Sequence, residues 1–182
     1  MCPKLETPRL ALRPPGKDDI APMVTLLGDY DVAKNLGTAP HPYREEHARA
    51  FLERLEERRA KGEDHVFSIL DKEGGLFMGC CGAHLKADGF HVGYWLGKPY
   101  WGSGVMSEAA KRLVCFLFKD LKAERLHAGW FHDNPASGRV LAKLGFVHVD
   151  DSPHECLARG HDVLCHNMVL MRENFGRKRN TA

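Results

Sequence analysis

Residues 65–96 constrain this chain more than any other stretch. Three apolar runs, HVFSIL (His65 to Leu70), LFMGCCGAHL (Leu76 to Leu85) and FHVGYWL (Phe90 to Leu96), are separated by DKEGG and KADG. Links so short and glycine-containing double the chain straight back, so the runs form an antiparallel meander. A helical pattern follows, VMSEAAKRLVCFLFKDL (Val105 to Leu121), then a further strand-like run, RLHAGWFH (Arg125 to His132). A strand, a helix and a neighbouring strand in that order place a parallel pair inside a mostly antiparallel sheet.

The flanks extend this plan. LALRPP (Leu10 to Pro15) alternates as a first strand, and FVHVD and VLCHNMVLM read as two last strands, giving about seven. KDDIAPMVTLL (Lys17 to Leu27) is helical, with Asp18 and Asp19 suiting the dipole of its first turn. REEHARAFLERLEERRAKG (Arg44 to Gly62) is a long amphipathic helix with Ala48, Phe51, Leu52 and Leu55 on one face. NLGTAPHPY (Asn35 to Tyr43) is a loop, and PASGRVLAKLG (Pro135 to Gly145) a short helix closed by glycine. The fold class is mixed αβ (α+β), with helices on both faces of the sheet. The length of 182 residues suits one domain, expected over 1–175, followed by a disordered basic tail at 176–182.

Composition excludes several functions. With 26 basic and 24 acidic residues the net charge is +2, which gives no electrostatic basis for binding nucleic acid or a membrane surface. The N-terminus carries no apolar run and no segment is long enough to span a bilayer, so neither a signal peptide nor a membrane helix is expected. Six cysteines without a framework spacing point to reduced thiols and a cytoplasmic protein. The 11 histidines fall in no HxxxH or HExxH pattern and there is no CxxC, so no metal is expected.

Two segments carry chemistry. In GYWLGKPYWGSGVMSEAAKRLV (Gly93 to Val114), a strand ends, Gly102-Ser103-Gly104 turns, and a helix starts near Val105. Glycines leave backbone N–H groups unobstructed, and a helix start adds orphan donors and about half a positive charge. Together they suit a pyrophosphate, although a plain turn has the same composition. The absence of GK[ST] and GxGxxG argues against a nucleoside-triphosphate or dinucleotide site. In DNPASGRVLAKLGF (Asp133 to Phe146), Asp133 or Asn134 caps a helix with Pro135 in its first turn. Ser137 follows Asn134 by three residues and shares its face, at the mouth between two strands.

These two segments, with the opening LETPRLALRPPGKDDI (Leu5 to Ile20), resemble the GNAT acyltransferases, in the branch similar to the RimJ/RimL ribosomal-protein N-terminal acetyltransferases. The resemblance covers nearly the whole chain. It implies a sheet splayed between its fourth and fifth strands, with acetyl-CoA held in the V. Tyr94, Trp95 and Leu96 would meet the pantetheine through their backbone, and Trp101, Gly102, Ser103, Gly104, Val105 and Met106 would cradle the pyrophosphate, with Ser107 beside them. The superfamily pattern Arg/Gln-x-x-Gly-x-Gly/Ala reads here Trp101-x-x-Gly104-x-Met106, so only its central glycine is kept. Asn134 resembles the asparagine that binds pantetheine, and Ser137 the serine placed near the thioester sulfur. Many relatives carry a tyrosine seven residues after that asparagine, where this chain has Leu141. Ser137 or water is then the proton donor to the leaving thiolate.

The implied reaction moves an acetyl group from acetyl-CoA to a primary amine, on a protein N-terminus or a small molecule, by direct attack in a ternary complex. His91, in HVGYW, stands where the family often has a carboxylate and is the candidate base; it equally reads as an ordinary strand histidine. Glu108 reads as an acid that complements the helix dipole. The competing reading is a non-catalytic acyl-CoA-binding module, favoured by the altered glycine pattern and opposed by Asn134 and Ser137. The loop Asn35 to Tyr43 and the hairpin around Asp150 to Asp162 are expected to wall the acceptor pocket, and the resemblance makes a homodimer plausible.

Overall fold

A computed structural model describes residues 3–176. One eight-stranded sheet is built from β1 (Leu5–Glu6), β2 (Leu10–Arg13), β3 (Asp64–Asp71), β4 (Phe77–Lys86), β5 (Gly89–Leu96), β6 (Arg125–Phe131), β7 (Val147–Cys156) and β8 (His161–Met171). Their order across the sheet is β1-β2-β3-β4-β5-β6-β8-β7. Every adjacent pair is antiparallel except β5 and β6. The helices are α1 (Ile20–Leu27), α2 (Tyr30–Ala33), α3 (Glu45–Ala60), α4 (Val105–Lys119) and α5 (Pro135–Leu144).

The expected meander is β3-β4-β5, and the expected parallel step is β5-β6. Three elements escape periodicity. β1 has two residues, paired as Leu5 with Leu12 and Glu6 with Ala11. α2 is one turn, capped by the Asp29 side chain, which accepts from the Asp31 N–H. β7 runs on from FVHVD to Cys156 because it is an edge strand, exposed along most of its length, where polar residues and Pro153 are tolerated.

Two apolar layers sandwich the sheet. On one face Val92, Leu96, Leu126 and Ala128 pack with Ala109, Leu113 and Leu117 of α4 and Leu141 of α5. Burying each leucine contributes about 1.5–3 kcal/mol relative to leaving it in water. On the other face Val66, Phe77 and Cys80 pack with Ile20 and Met23 of α1 and Ala48 and Leu55 of α3. Successive strand residues alternate between the layers, so Tyr94 faces the α4–α5 side and Trp95 the α1–α3 side. Cys80, Cys81, Cys115, Cys156 and Cys165 are free thiols. Among the described residues no helix is long and apolar enough to cross a membrane. The expected basic tail lies, from residue 177 on, outside the described residues.

One ion pair with a buried carboxylate fastens the first helical segment to the sheet. The sequence alone assigns Asp19 to dipole complementation; it does lie in the first turn, but its side chain is only 2% exposed and does more. Arg13 donates to both carboxylate oxygens at 2.8 and 2.7 Å, and the Gly16 N–H and the Ser68 hydroxyl donate to Oδ2 at 2.9 and 2.8 Å. Burial by itself raises the Asp19 carboxyl; the four donated bonds outweigh it, and the net direction is down. A lowered folded-state value stabilises the protein above the unfolded carboxyl's value, and that contribution is lost as pH falls through the folded one. Asp19→Ala should therefore cost about 3–5 kcal/mol at neutral pH. In urea titrations the gap between variant and wild type should be full at pH 7 and shrink below about pH 4.

Candidate active site

The site begins where the parallel pair fails. β5 and β6 are in register at Phe90 with Leu126, His91 with His127 and Val92 with Ala128. Both strands continue, to Leu96 and Phe131, but pair no further with each other. Backbone groups on both inner edges are thus left to other partners at the centre of the sheet. The opening leads into a cleft of about 1560 Å³.

At one end of the cleft the glycine turn precedes α4. Gly104 is the N-cap of α4 at φ 78°, and Gly102 sits at φ 73°. These left-handed conformations favour glycine. A Cβ at Gly102 would meet nothing within 4 Å, so the turn presents bare backbone. Its shape is held from several sides. The Trp101 indole N–H donates to the Leu96 carbonyl at 2.8 Å, and the Ser103 hydroxyl to the Tyr100 carbonyl at 2.6 Å. Arg9 donates to the Ser103 carbonyl at 3.2 Å and to Glu108 at 2.7 Å. Glu108 is therefore an anchor for Arg9 as well as an acid in the first turn of α4. Nothing in the sequence connects Arg9 with this turn, because 94 residues separate it from Ser103.

On the opposite side of the opening stands the start of α5. Asn134 is the N-cap, and its Oδ1 accepts from the Ser137 N–H at 3.3 Å. Its two amide N–H groups make no bond among the described residues. Asp133 has a different task, taking two bonds from Arg159 at 2.7 and 3.1 Å. Ser137 is held by Tyr94, whose hydroxyl lies 3.1 Å from both the Ser137 carbonyl and its Oγ. Burial pushes the Tyr94 hydroxyl up to about 12, so it keeps its proton at neutral pH. The sequence assigns only backbone contacts to Tyr94; its side chain ties β5 to α5 across the mouth of the V. Leu141 is wholly buried in the core.

The other face of the opening carries imidazoles. His91 Nε2 is 2.8 Å from Asp88 Oδ1, and the His91 ring stacks on His127 with centroids 4.9 Å apart. With Nε2–H donating to the carboxylate, Nδ1 carries the lone pair. Burial lowers His91 below the ordinary 6.5; Asp88 opposes this, while Lys86 and His127 add to it. His91 is thus a neutral imidazole at pH 7, oriented by an acid. Asp88 and His127 had no signal in the sequence, since a turn and a parallel neighbour bring them there. A second group, His148, Asp151 and His166, is internally paired in the same way on β7 and β8.

The two segments expected to wall the pocket meet each other. The Leu157 N–H donates to the Gly37 carbonyl at 3.1 Å. Arg159, at the β7–β8 turn, donates to the Lys34 carbonyl at 2.8 Å while it grips Asp133. Asn35, Gly37, Thr38, Asp150, His154 and Glu155 all line the cleft.

Residues 9–147 match the model of the acetyltransferase (GNAT) domain. An uncharacterized N-acetyltransferase, p20, of Bacillus licheniformis is 30% identical over 145 residues, 78% of this chain and 81% of that one. The fold matches the ribosomal-protein-S5-alanine acetyltransferase of Vibrio fischeri with a TM-score of 0.80 at 20% identity, over 96% of this chain and 100% of that one. It also matches RimJ of Mycobacterium smegmatis, solved with a coenzyme A disulfide, with a TM-score of 0.80 at 18% identity, over 97% of this chain and 89% of that one. A splayed parallel pair, a glycine turn at a helix start and a matching domain model across most of the chain lead to one conclusion: the chain belongs to the GNAT family of acetyltransferases.

Proposed function

We propose that the protein transfers the acetyl group of acetyl-CoA to the α-amino group of a protein N-terminus, in a ternary complex. The observation that carries this is the opening between β5 and β6, flanked on its α4–α5 face by an anion-ready turn and Ser137 and on its other face by a carboxylate-oriented imidazole. The ribosomal-protein relatives support a protein amine over a small one.

The chain's own residues fit the donor. Bare backbone at Gly102 and Gly104 and the free N–H groups of the first turn of α4 suit a pyrophosphate, with Trp101, Ser103, Val105, Met106 and Ser107 completing the turn. On the open edge of β5, Tyr94 and the Leu96 N–H offer peptide groups to an amide-containing arm, while the Trp95 carbonyl faces Gly79 of β4 and the Leu96 carbonyl is held by Trp101; the spare amide N–H groups of Asn134 add to them. A backbone N–H on that same edge can stabilise the oxyanion. The amine arrives from the imidazole side. An α-amino group has a pKa near 8 and is partly neutral already, and its proton becomes far more acidic once the C–N bond forms, so a weak base suffices. His91 Nδ1 takes the proton, directly or through water, while Asp88 holds the ring. As the C–S bond breaks, the Ser137 hydroxyl donates to the sulfur.

Two outcomes test these roles. A hydrogen bond to a charged group is worth about 1.5–3 kcal/mol, so Ser137→Ala should lower kcat about 10- to 150-fold with acetyl-CoA affinity nearly unchanged. Tyr94→Phe removes only the bond that positions Ser137 and should cost about fivefold. Wild-type turnover in Ser137→Ala would demote the serine to a contact. For His91, activity requires the neutral ring, whose value is lowered; kcat/KM should hold at pH 7 and fall as pH drops below 6.5. His91→Ala should lose that limb along with most activity, and an unchanged pH profile would show that the base lies elsewhere.

A further inference from the structure

The face of the sheet that receives the acceptor has an unusual floor. Directly paired residues share a face, and alternation along a strand repeats it every second position. His84, His91 and His127 are cross-strand neighbours on β4, β5 and β6 and form one row. Two positions further into the opening, Gly93 on β5 and Gly129 on β6 replace side chains with bare backbone. Gly82 of β4 stands opposite Gly93 and extends the glycine row until it meets Val66. Beyond the glycines the same face carries large rings again, Trp95 and Phe131.

The result is a transverse groove. Its walls are a row of imidazoles and a row of aromatics, and its floor is peptide backbone. β5 is the fifth of eight strands, yet Gly93 is exposed. A Cβ placed on Gly93 would meet nothing within 4 Å, so the space above it is open cleft. At Gly129 a Cβ would come within 2.7 Å of Cys165 Sγ, so that end of the floor is already narrow.

Taking the proposed N-terminal acetyl transfer as its basis, we infer that Gly93 and Gly129 set the acceptor specificity. The amine is brought to His91 by laying the first residue of the acceptor flat on the glycine floor. That admits N-terminal glycine, alanine or serine and rejects β-branched or aromatic first residues, whose side chains would need the width that the imidazole and aromatic rows occupy. Gly93 then selects the acceptor without touching the donor, whose contacts lie on the edge of β5 and on its other face.

Gly93→Ala and Gly93→Val are suitable probes, because a Cβ there has free space and strands favour valine over glycine. Acetyl transfer is measured on peptides that differ only in their first residue (Gly, Ala, Ser, Val, Phe), with acetyl-CoA binding followed by calorimetry in each variant. The wild type should favour Gly, Ala and Ser over Val and Phe at least tenfold in kcat/KM. Gly93→Ala should lower kcat/KM for the Ala peptide about tenfold more than for the Gly peptide, and Gly93→Val should abolish transfer to all. Acetyl-CoA affinity should stay within about twofold throughout. Equal use of all five peptides by the wild type, or unchanged acceptor kinetics in Gly93→Val, overturns the inference and leaves the N-terminal reading standing. A wild type that binds acetyl-CoA and acetylates none of the peptides overturns both.

Discussion

The parting of β5 from β6 after Val92 and Ala128 is the constraint on which the rest of the molecule depends. A sheet that stops pairing at its centre leaves strong donors and acceptors without partners, and such groups are costly unless something meets them. Here the opening is kept apart from both ends. α4 and α5 pack their apolar faces under the strands, and Tyr94 ties β5 to Ser137 across the mouth. On the far face, Arg159 and Leu157 pin the β7–β8 turn to the segment after α2, roofing the cleft without filling it. Residues of both sheet faces line the opening, which in the proposed reaction lets a donor and an acceptor meet without either crossing the core.

Electrostatics follow from that geometry. The His91 side chain is partly buried because it lines the base of the opening, and burial is the larger influence that lowers its affinity for a proton. Asp88 counters without reversing it, since its carboxylate is exposed and its field is screened by water. A neutral, oriented imidazole results. Tyr94 shows the other consequence of burial: its hydroxyl stays protonated, so it donates one hydrogen bond and accepts through its lone pairs.

Much of this plan was legible in residues 65–145, because the links of the meander are too short for any other connection and the helix after β5 forces the parallel step. Gly102, Gly104, Asn134 and Ser137 were legible for a related reason, as turn and cap residues act on their immediate neighbours. What escaped reading is non-local. Arg9 reaches the glycine turn from β2, Asp88 and His127 reach His91 from a turn and a parallel neighbour, and Arg159 reaches Asp133 from a distant hairpin. Asp19 was legible only as an acid at a helix start, and of the groups that hold it Ser68 lies on a strand 49 residues away. β1 and α2 carry too few residues for periodicity to register, and edge strand β7 has too little burial to require alternation.

Steady-state kinetics with both substrates varied tests the central claim most directly, with Ser137 followed by intact-protein and peptide mass spectrometry. A thioester is already activated toward amines, and no base lies beside Ser137 on α5 to make it a nucleophile. Direct transfer across the opening predicts double-reciprocal lines that intersect, and a protein mass that does not change on incubation with acetyl-CoA alone. Parallel lines together with an acetylated Ser137 would contradict the account.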